Sequence, residues 1–244
     1  MLDSVKSNAF RIGKRVKSLF SKAYPREREL DLLPILVDRI KTAVDVGANI
    51  GRYTEALLSL TPDVISIEPN PRFARRLKAQ FPRSKVIPVA VSDSPGRQTL
   101  RIPVDPFYSG MATIENTNQL MQLEVDSVEV EVATLDSLNL ANVGFIKIDV
   151  EGHESAVIRG AARCISEHRP TLLIEAEDRY RPGTIAAIFD QMVALSYSGY
   201  MLLEGCLRPI SEFDPSIHQA VGSTAESYKT GHLNHVFNFI FLPS

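Results

Sequence analysis

The stretch that decides the fold is Val44-Asp45-Val46-Gly47-Ala48-Asn49-Ile50-Gly51, which follows a short apolar run and opens a helical pattern. Gly47 permits the tight turn after a strand, and Gly51 permits a close approach between the next helix and that strand. A helix that begins here directs free backbone N–H groups toward a polar ligand. The stretch therefore predicts a strand–turn–helix unit that binds a nucleotide-like cofactor.

An acidic residue at a characteristic distance supports this prediction. Glu68 ends the next apolar run, 21 residues after Gly47, where a carboxylate accepts hydrogen bonds from ribose hydroxyls. Asn49 stands where a dinucleotide fingerprint has glycine, and the carboxylate of Asp45 suits a ligand with a cationic amino group. S-adenosylmethionine therefore fits these residues better than NAD. The alternative is a purely structural turn with a satisfied Asn49 and a capping Asp45.

Short apolar runs alternate with helical patterns from residue 41 onward, which is typical of a parallel sheet with crossover helices. The predicted strands are Thr42–Val46, Val64–Glu68, Val86–Val89, Phe145–Asp149, Thr171–Glu175 and His235–Leu242. The predicted helices are Tyr53–Leu60, Pro71–Gln80, Ser155–Cys164 and Thr184–Leu195. Two shorter predicted strands, Gln98–Ile102 and Val128–Val132, flank a candidate lid over residues 103–118. The expected fold class is α/β, with helices on both faces of a mostly parallel sheet.

Composition and charge limit the class of protein. With 44% hydrophobic and 23% charged residues in 244, the chain is neither disordered nor a disulfide-stapled miniprotein. Residues 1–28 carry eight basic and two acidic side chains at amphipathic helical spacing. We expect this basic N-terminal helix to pack on a domain over residues 29–244, with peripheral membrane contact as the alternative. The acidic body argues against a nucleic-acid substrate, and no signal peptide or membrane span is evident, so we expect a cytoplasmic protein.

The chain resembles the FkbM-type S-adenosylmethionine-dependent methyltransferases over residues 40–242. The blocks that carry the resemblance are Val44–Gly51, Ile67-Glu68-Pro69-Asn70-Pro71, Ala90-Val91-Ser92-Asp93, Thr134-Leu135-Asp136-Ser137-Leu138, Ile146-Lys147-Ile148-Asp149-Val150-Glu151-Gly152-His153-Glu154, Gly160-Ala161 and Asn238-Phe239-Ile240-Phe241-Leu242. The blocks containing Gly47 and Asp149 are specific in their order and spacing.

This resemblance implies a class I methyltransferase (Rossmann-like) fold and methyl transfer to a hydroxyl oxygen. The cofactor would then lie along Gly47–Gly51, with its ribose on Glu68 and its adenine near Ser92 and Asp93. Members of the family modify hydroxyls on macrolides, sugars and glycolipids, among them the 2-hydroxyl of fucose on lipo-chitooligosaccharide nodulation factors.

The acceptor side is expected at the ends of the neighbouring strands, since open α/β sheets bind ligands there. A sugar hydroxyl is a weak nucleophile and benefits from a nearby base. Asp149 and His153 follow the fourth predicted strand, and each could serve as base or orienting group. Glu175, at the end of the fifth, is a third candidate. Such carboxylates can also hold a divalent cation, but the predicted site contains no metal.

The expected function is S-adenosylmethionine-dependent O-methylation of a hydroxyl on a sugar, glycan or glycolipid. One alternative is a nicotinamide-dependent oxidoreductase that uses the same turn, although Asp45 and Asn49 argue against it. The other is a non-catalytic nucleotide-binding module that has kept the fold, although the presence of Asp45, Glu68 and Asp149 argues against lost chemistry.

Overall fold

The computed structural model describes residues 27–116, 123–178, 182–219 and 235–244. The basic helix predicted for residues 1–28 therefore lies outside the described residues except at its last two positions. Arg28 begins a short 3-10 helix, Arg28–Leu32, whose Leu30 and Leu32 side chains are buried. The described chain thus packs on the core from its first turn onward.

Strands and helices alternate along the described chain. The strands are β1 (Thr42–Val46), β2 (Val64–Ile67), β3 (Lys85–Ile87), β4 (Ala90–Val91), β5 (Gly96–Pro103), β6 (Val125–Ala133), β7 (Val143–Ile148), β8 (Thr171–Glu175), β9 (Tyr197–Leu203), β10 (Cys206–Pro209) and β11 (Asn238–Pro243). The α-helices are α1 (Leu33–Leu36), α2 (Arg52–Leu58), α3 (Pro71–Gln80), α4 (Glu154–Arg159), α5 (Ala162–His168), α6 (Thr184–Ala194) and α7 (Pro215–His218).

Eight strands form the main sheet in the order β10-β9-β11-β8-β7-β1-β2-β3. The five strands from β8 to β3 in that order are parallel neighbours, whereas β11 is antiparallel to both β8 and β9. This confirms the predicted α/β fold with a mostly parallel sheet. The chain crosses from β1 to β2 on one side and reaches β7 on the other, so a crevice opens at the ends of β1 and β7.

The sheet is covered on both faces because its central strands are buried on both faces. All six residues of β7 are buried. Phe145 of β7 joins a cluster with α1 and α2, whereas Ile146 and Ile148 join the opposite cluster with α4, α5 and α6. Alternate side chains of a strand point to opposite faces, and two helical layers therefore pack against one sheet.

Helix boundaries follow local signals. α3 has the bounds that were predicted, because Pro71 occupies its first turn and the Asn70 side chain accepts a hydrogen bond from the Arg72 N–H at 3.0 Å. The single helix predicted for Ser155–Cys164 is wrong: the structure has α4 and α5 with a break at Gly160. A Cβ at Gly160 would lie 2.0 Å from the Ser92 carbonyl oxygen, so this break packs directly on the chain after β4.

The segment between residues 90 and 133 forms a second sheet in the order β4-β6-β5. The two short strands predicted there are longer in the structure, since β5 and β6 pair over their full lengths as an antiparallel ribbon. The predicted strand Val86–Val89 ends two residues early in the structure, because β3 ends at Ile87 and the next strand, β4, begins at Ala90 in the second sheet. Within the described parts of the chain, no helix is long and apolar enough to cross a membrane.

Candidate active site

A cleft of about 600 Å³, open mouth included, lies at the ends of β1, β2 and β7. Its walls come from the turn after β1, the end of β2, the approach to β4 and the loop after β7. The lining residues are Val46, Gly47, Asn49, Ile67, Glu68, Pro69, Phe73, Val89, Ala90, Val91, Leu100, Gly110, Ala112, Thr113, Ile114, Asp149, Val150, Glu151 and His153. The predicted cofactor turn and two of the three predicted catalytic residues thus share one cleft.

Gly47 forms the floor where two loops meet. Its φ is +81°, and an added Cβ would lie 1.8 Å from the backbone carbonyl oxygen of Asp149. The N–H groups of Gly47 and Ala48 both donate to the Ile67 carbonyl, at 2.9 and 3.1 Å. Only glycine satisfies both the left-handed backbone and the close approach, so this turn brings the Asp149 backbone against the predicted cofactor loop.

Glu68 ties the turn after β1 to the chain after β2. One carboxylate oxygen accepts the Asn49 N–H and the other accepts the Asn70 N–H, each at 2.7 Å. Asn49 has a φ of +49°, which asparagine tolerates better than most residues. Burial raises the pKa of Glu68 to about 7. Each oxygen keeps a second lone pair, so Glu68 can hold the turn and still accept from a ribose hydroxyl.

Gly51 and Asp45 lie behind the cleft rather than on its wall. A Cβ at Gly51, where φ is +92°, would lie 2.3 Å from the Phe81 ring. The close approach at Gly51 is therefore with the end of α3, not with the strand as predicted. Asp45 is buried and its carboxylate accepts a hydrogen bond from the Thr54 hydroxyl at 2.7 Å. Burial raises the pKa of Asp45 to about 6, and contact with the cofactor's amino group stays a prediction.

Ser92 and Asp93 also stand behind the cleft wall, which at this point is made by Val89, Ala90 and Val91. The Asp93 carboxylate is bound by the Arg159 guanidinium at 2.7 and 3.0 Å, and this hydrogen bond lowers the pKa of Asp93. The adenine contact predicted for the pair thus stays a prediction, and the apolar residues that precede them form the surface suited to a ring.

His153 joins the segment over the cleft to the chain behind it. Its Nε2 lies 2.8 Å from the Ser92 hydroxyl, and its Nδ1 lies 2.6 Å from the Glu115 carboxylate. The Thr113 hydroxyl donates to the Glu151 carbonyl at 3.0 Å. Residues 110–114, part of the predicted lid loop, line the cleft. Glu115 was not predicted, since its only sequence signal is its place in that loop.

Glu154 shapes the loop that carries Asp149 and His153. Its side chain is buried and accepts the Gly152 N–H at 2.9 Å. Glu151 and Gly152 are consecutive residues with positive φ, +55° and +100°, so this carboxylate stabilises an otherwise unfavourable turn. Burial raises the pKa of Glu154 to about 7.

Asp149 and Glu175 meet around a buried lysine. The Lys147 ammonium lies 3.3 Å from Glu175 Oε2 and 3.9 Å from Asp149 Oδ2, and it donates to Asn238 Oδ1 at 3.0 Å. Lys147 is fully buried, whereas the side chains of Asp149 and Glu175 are 30% and 23% exposed. The sequence analysis missed Lys147, although a charged residue inside a strand with apolar neighbours was the available signal.

The described chain thus brings the candidate base Asp149, the carboxyl group of Glu68 and an apolar wall together in one cleft. Comparison with protein families matches residues 45–202 to the methyltransferase FkbM domain. Among curated proteins, none matches the sequence.

Three solved methyltransferase structures are similar to this chain. A methyltransferase FkbM from Methylobacillus flagellatus is 16% identical with a TM-score of 0.53, covering 95% of this chain, which spans only 58% of that structure. A TehB-like SAM-dependent methyltransferase from Corynebacterium glutamicum is 11% identical (TM-score 0.46, 99% and 100% coverage of this chain and that one). A precorrin-6y C5,15-methyltransferase from Geobacter metallireducens is 13% identical, with a TM-score of 0.47 and coverage of 93% of this chain and 91% of that structure.

The class I methyltransferase fold predicted from the sequence is therefore confirmed. S-adenosylmethionine, the cofactor predicted from Gly47–Gly51 and Glu68, is the methyl donor of this family. The family model covers well over half of the described residues, and the chain belongs to the FkbM methyltransferase family.

Proposed function

We propose that this protein is an O-methyltransferase that acts on a hydroxyl of a neutral sugar, glycan or glycolipid. The observation that carries the proposal is the position of Asp149. This residue lines the cleft that contains Gly47, Asn49 and Glu68, and its side chain lies beside the carboxyl group of Glu175. The position supports a role for Asp149 as proton acceptor next to the residues suited to the cofactor.

S-adenosylmethionine supplies an activated methyl group, so the protein's tasks are to align the acceptor and to remove its proton. Asp149 suits the second task because the residue lines the cleft and its side chain is partly exposed. His153 suits it less well, since both ring nitrogens already face partners in Ser92 and Glu115. We therefore assign Asp149 as the base and His153 to holding the segment over the cleft.

The charge of this edge of the sheet favours an uncharged acceptor. Carboxylates of Glu27, Glu151 and Glu177 surround the Asp149–Glu175 pair closely enough to raise its pKa values. A phosphorylated or carboxylated acceptor would be repelled there, whereas a polyol can donate hydrogen bonds to these groups. The same repulsion argues against nucleic acid as a substrate.

The first experiment is calorimetric titration with S-adenosylhomocysteine, with NAD in parallel, followed by transfer of labelled methyl to a panel of acceptors. The panel contains neutral sugars, glycolipids and a fucosylated lipo-chitooligosaccharide, together with phosphorylated counterparts. We expect binding of S-adenosylhomocysteine alone and label only in neutral acceptors. Asp149→Asn should keep the affinity and lose transfer, with Asp126→Asn on the exposed face of β6 as the matched control.

Two results would contradict this proposal. Label on a nitrogen atom or on phosphorylated acceptors would refute the acceptor class. Tight binding of S-adenosylhomocysteine without transfer to any acceptor would favour the non-catalytic binding module, and binding of NAD would favour the oxidoreductase.

We also propose peripheral membrane contact through residues 1–28, which would bring the enzyme to glycolipid acceptors. The support is the basic amphipathic pattern of that stretch. Sedimentation with anionic and with neutral vesicles tests it, using the full chain, a variant that lacks residues 1–26 and a Lys14→Glu/Lys17→Glu variant. Both variants should lose binding to anionic vesicles, and unchanged sedimentation would refute the proposal.

A further inference from the structure

Lys147 is buried beside the carboxyl groups of Asp149 and Glu175, and the proposed methyl transfer does not itself require it. Lys147 is the last residue but one of β7 and has no exposed surface. A buried ammonium is costly unless it is paired and hydrogen-bonded. Its Nζ has partners on three strands: Asp149 just beyond β7, Glu175 of β8 and Asn238 of β11. The Tyr53 ring of α2 lies 5.0 Å from Nζ on a further side.

We propose that Lys147 and Glu175 are positioning residues that keep Asp149 ionised and directed toward the acceptor hydroxyl. The proposal rests on the proposed function for the acceptor hydroxyl, but the electrostatic arrangement can be tested separately. Lys147 cannot touch the acceptor, because it is fully buried. It therefore acts through Asp149.

The side chains of Lys147, Asp149 and Glu175 together carry one positive charge and at most two negative charges. Burial by itself would lower the pKa of Lys147, but the Asp149 and Glu175 carboxylates outweigh burial and raise it, so the ammonium stays charged. Burial, and then the charge of Asp149, hold the pKa of Glu175 well above its ordinary value.

We take Asp149 as the ionised member of the pair and Glu175 as the protonated one, because Asp149 is the member that lines the cleft. Burial raises the pKa of Asp149, while the Lys147 ammonium and a hydrogen bond from Glu175 oppose that rise. A protonated Glu175 can donate to Asp149 while its other oxygen accepts from Lys147 at 3.3 Å. The acceptor proton then passes to the Asp149 carboxylate, and no other proton needs to move in that step.

Other charged groups among the described residues face the cluster from the first 3-10 helix and the residue before it, from β1, the loop after β7, the chain after β8 and the chain before β11. They are Glu27, Glu29, Asp45, Glu151, Glu177 and His235. Glu27, Glu151 and Glu177 raise the pKa of Asp149 or Glu175, while Glu27 is paired with Arg52 and Glu177 lies 3.5 Å from His235. Lys147 is the described cation that contacts Asp149 itself.

The test measures ionisation and turnover separately. Carboxyl ¹³C titration of the labelled protein, with Asp149→Asn for assignment, follows the pair directly, and the pH dependence of kcat/KM follows turnover. An opposite charge at this distance lowers a carboxyl pKa by roughly 1–3 units. Lys147→Met should therefore move the midpoint of the Asp149 titration, and the acidic limb of the kcat/KM profile, upward by at least about one pH unit. The affinity for S-adenosylhomocysteine should be unchanged.

Three further variants make the result specific. Lys147→Arg keeps the charge and should keep the titration near its wild-type position. Glu175→Gln should leave the acidic limb in place, because an amide donates to Asp149 as a protonated carboxyl does. Lys85→Met removes an exposed lysine from the edge strand β3 of the same sheet and serves as the matched control.

An unshifted Asp149 titration in folded Lys147→Met would overturn the proposal. If that variant does not fold, Glu175→Gln decides, since loss of the acidic limb there would make Glu175 the base. The proposed function fails independently: if wild-type protein methylates no hydroxyl while the carboxyl titration moves as expected, the electrostatic role of Lys147 stands and the acceptor class is wrong.

Discussion

Gly47 offers a sharp test of how the cofactor turn is built, because the chain contains a second glycine with the same backbone but no neighbours. Gly47 has φ +81° and Gly183 has φ +84°. A Cβ at Gly47 would lie 1.8 Å from the Asp149 carbonyl oxygen, whereas at Gly183 it would meet nothing within 4 Å. Alanine at Gly183 therefore measures the left-handed backbone alone, and alanine at Gly47 adds the steric conflict.

The expected magnitudes follow from these distances. A left-handed backbone costs a residue with a Cβ about 1–2 kcal/mol, which is the whole expected loss of unfolding free energy for Gly183→Ala. The 1.8 Å contact must open beyond 3.0 Å, and overpacking adds about 1–3 kcal/mol. Gly47→Ala should therefore lose roughly 2–5 kcal/mol in total, within the stability of an ordinary domain of about 5–15 kcal/mol.

The assay is urea unfolding of both variants, followed by calorimetric titration with S-adenosylhomocysteine. Gly47→Ala moves the Asp149 backbone and the turn, so cofactor affinity and turnover should both fall. Gly183→Ala is remote from the lining of the cofactor cleft and should keep its affinity. Equal stability losses in the two variants, with equal affinity for S-adenosylhomocysteine, would refute the close contact between the two loops.

The remaining predictions concern the predicted lid loop, the buried hydrogen bond between Thr54 and Asp45, and the pH dependence of stability. His153→Ala removes the contact with Glu115 and should weaken S-adenosylhomocysteine binding by about tenfold, because one charge-assisted hydrogen bond is lost. Calorimetry measures the affinity, with Ser94→Ala as the control, and unchanged affinity would contradict the contact between His153 and the predicted lid loop. Thr54→Val leaves the Asp45 carboxylate without its hydrogen-bond donor and should lower the free energy of unfolding in urea by about 1–3 kcal/mol, with unchanged cofactor affinity. Thr54→Ser keeps the hydroxyl and should keep the stability. A large loss of cofactor affinity in Thr54→Val would instead indicate that Asp45 contacts the cofactor. Burial raises the pKa of Glu154 from 4.5 to about 7, so the unfolded chain releases this proton at lower pH than the native protein does. The free energy of unfolding should therefore fall as the pH rises across that window and level off above it. Urea unfolding at several pH values should show a smaller pH dependence for Glu154→Gln, and an unaltered pH dependence would exclude this group.

Much of the cofactor half was accessible from local sequence. Gly47 and Asn49 have the positive φ values that their residue types favour, and Glu68 stands at the predicted end of β2 beside that turn. Such features depend on backbone preference and on spacing along one strand–turn–helix unit, so neighbouring residues carry the information. The predicted α3 has its observed bounds for the same reason, since Asn70 and Pro71 are local signals.

Features that depend on contacts between distant segments were missed or misplaced. The hydrogen bond from the Thr54 hydroxyl of α2 to the buried Asp45 carboxylate was not predicted, whereas contact between Asp45 and the cofactor stays a prediction. The helix break at Gly160 depends on a carbonyl group 68 positions earlier in the chain. The hairpin of β9 and the edge strand β10 turns at Glu204 and Gly205, both with positive φ. These strands were not predicted, because half-exposed hairpin strands lack the long apolar run of a buried parallel strand.

The sequence by itself determined the α/β class, the cofactor turn and the family, because glycine positions and buried apolar runs act over a few residues. Only the tertiary structure decided how the acceptor side is arranged. Asp149, Glu175 and Asn238 come from separate stretches of the chain and meet at Lys147 because β7, β8 and β11 are neighbours in the sheet. Their ionisation depends on burial and on each other's charge, and these arise only when the strands are packed side by side.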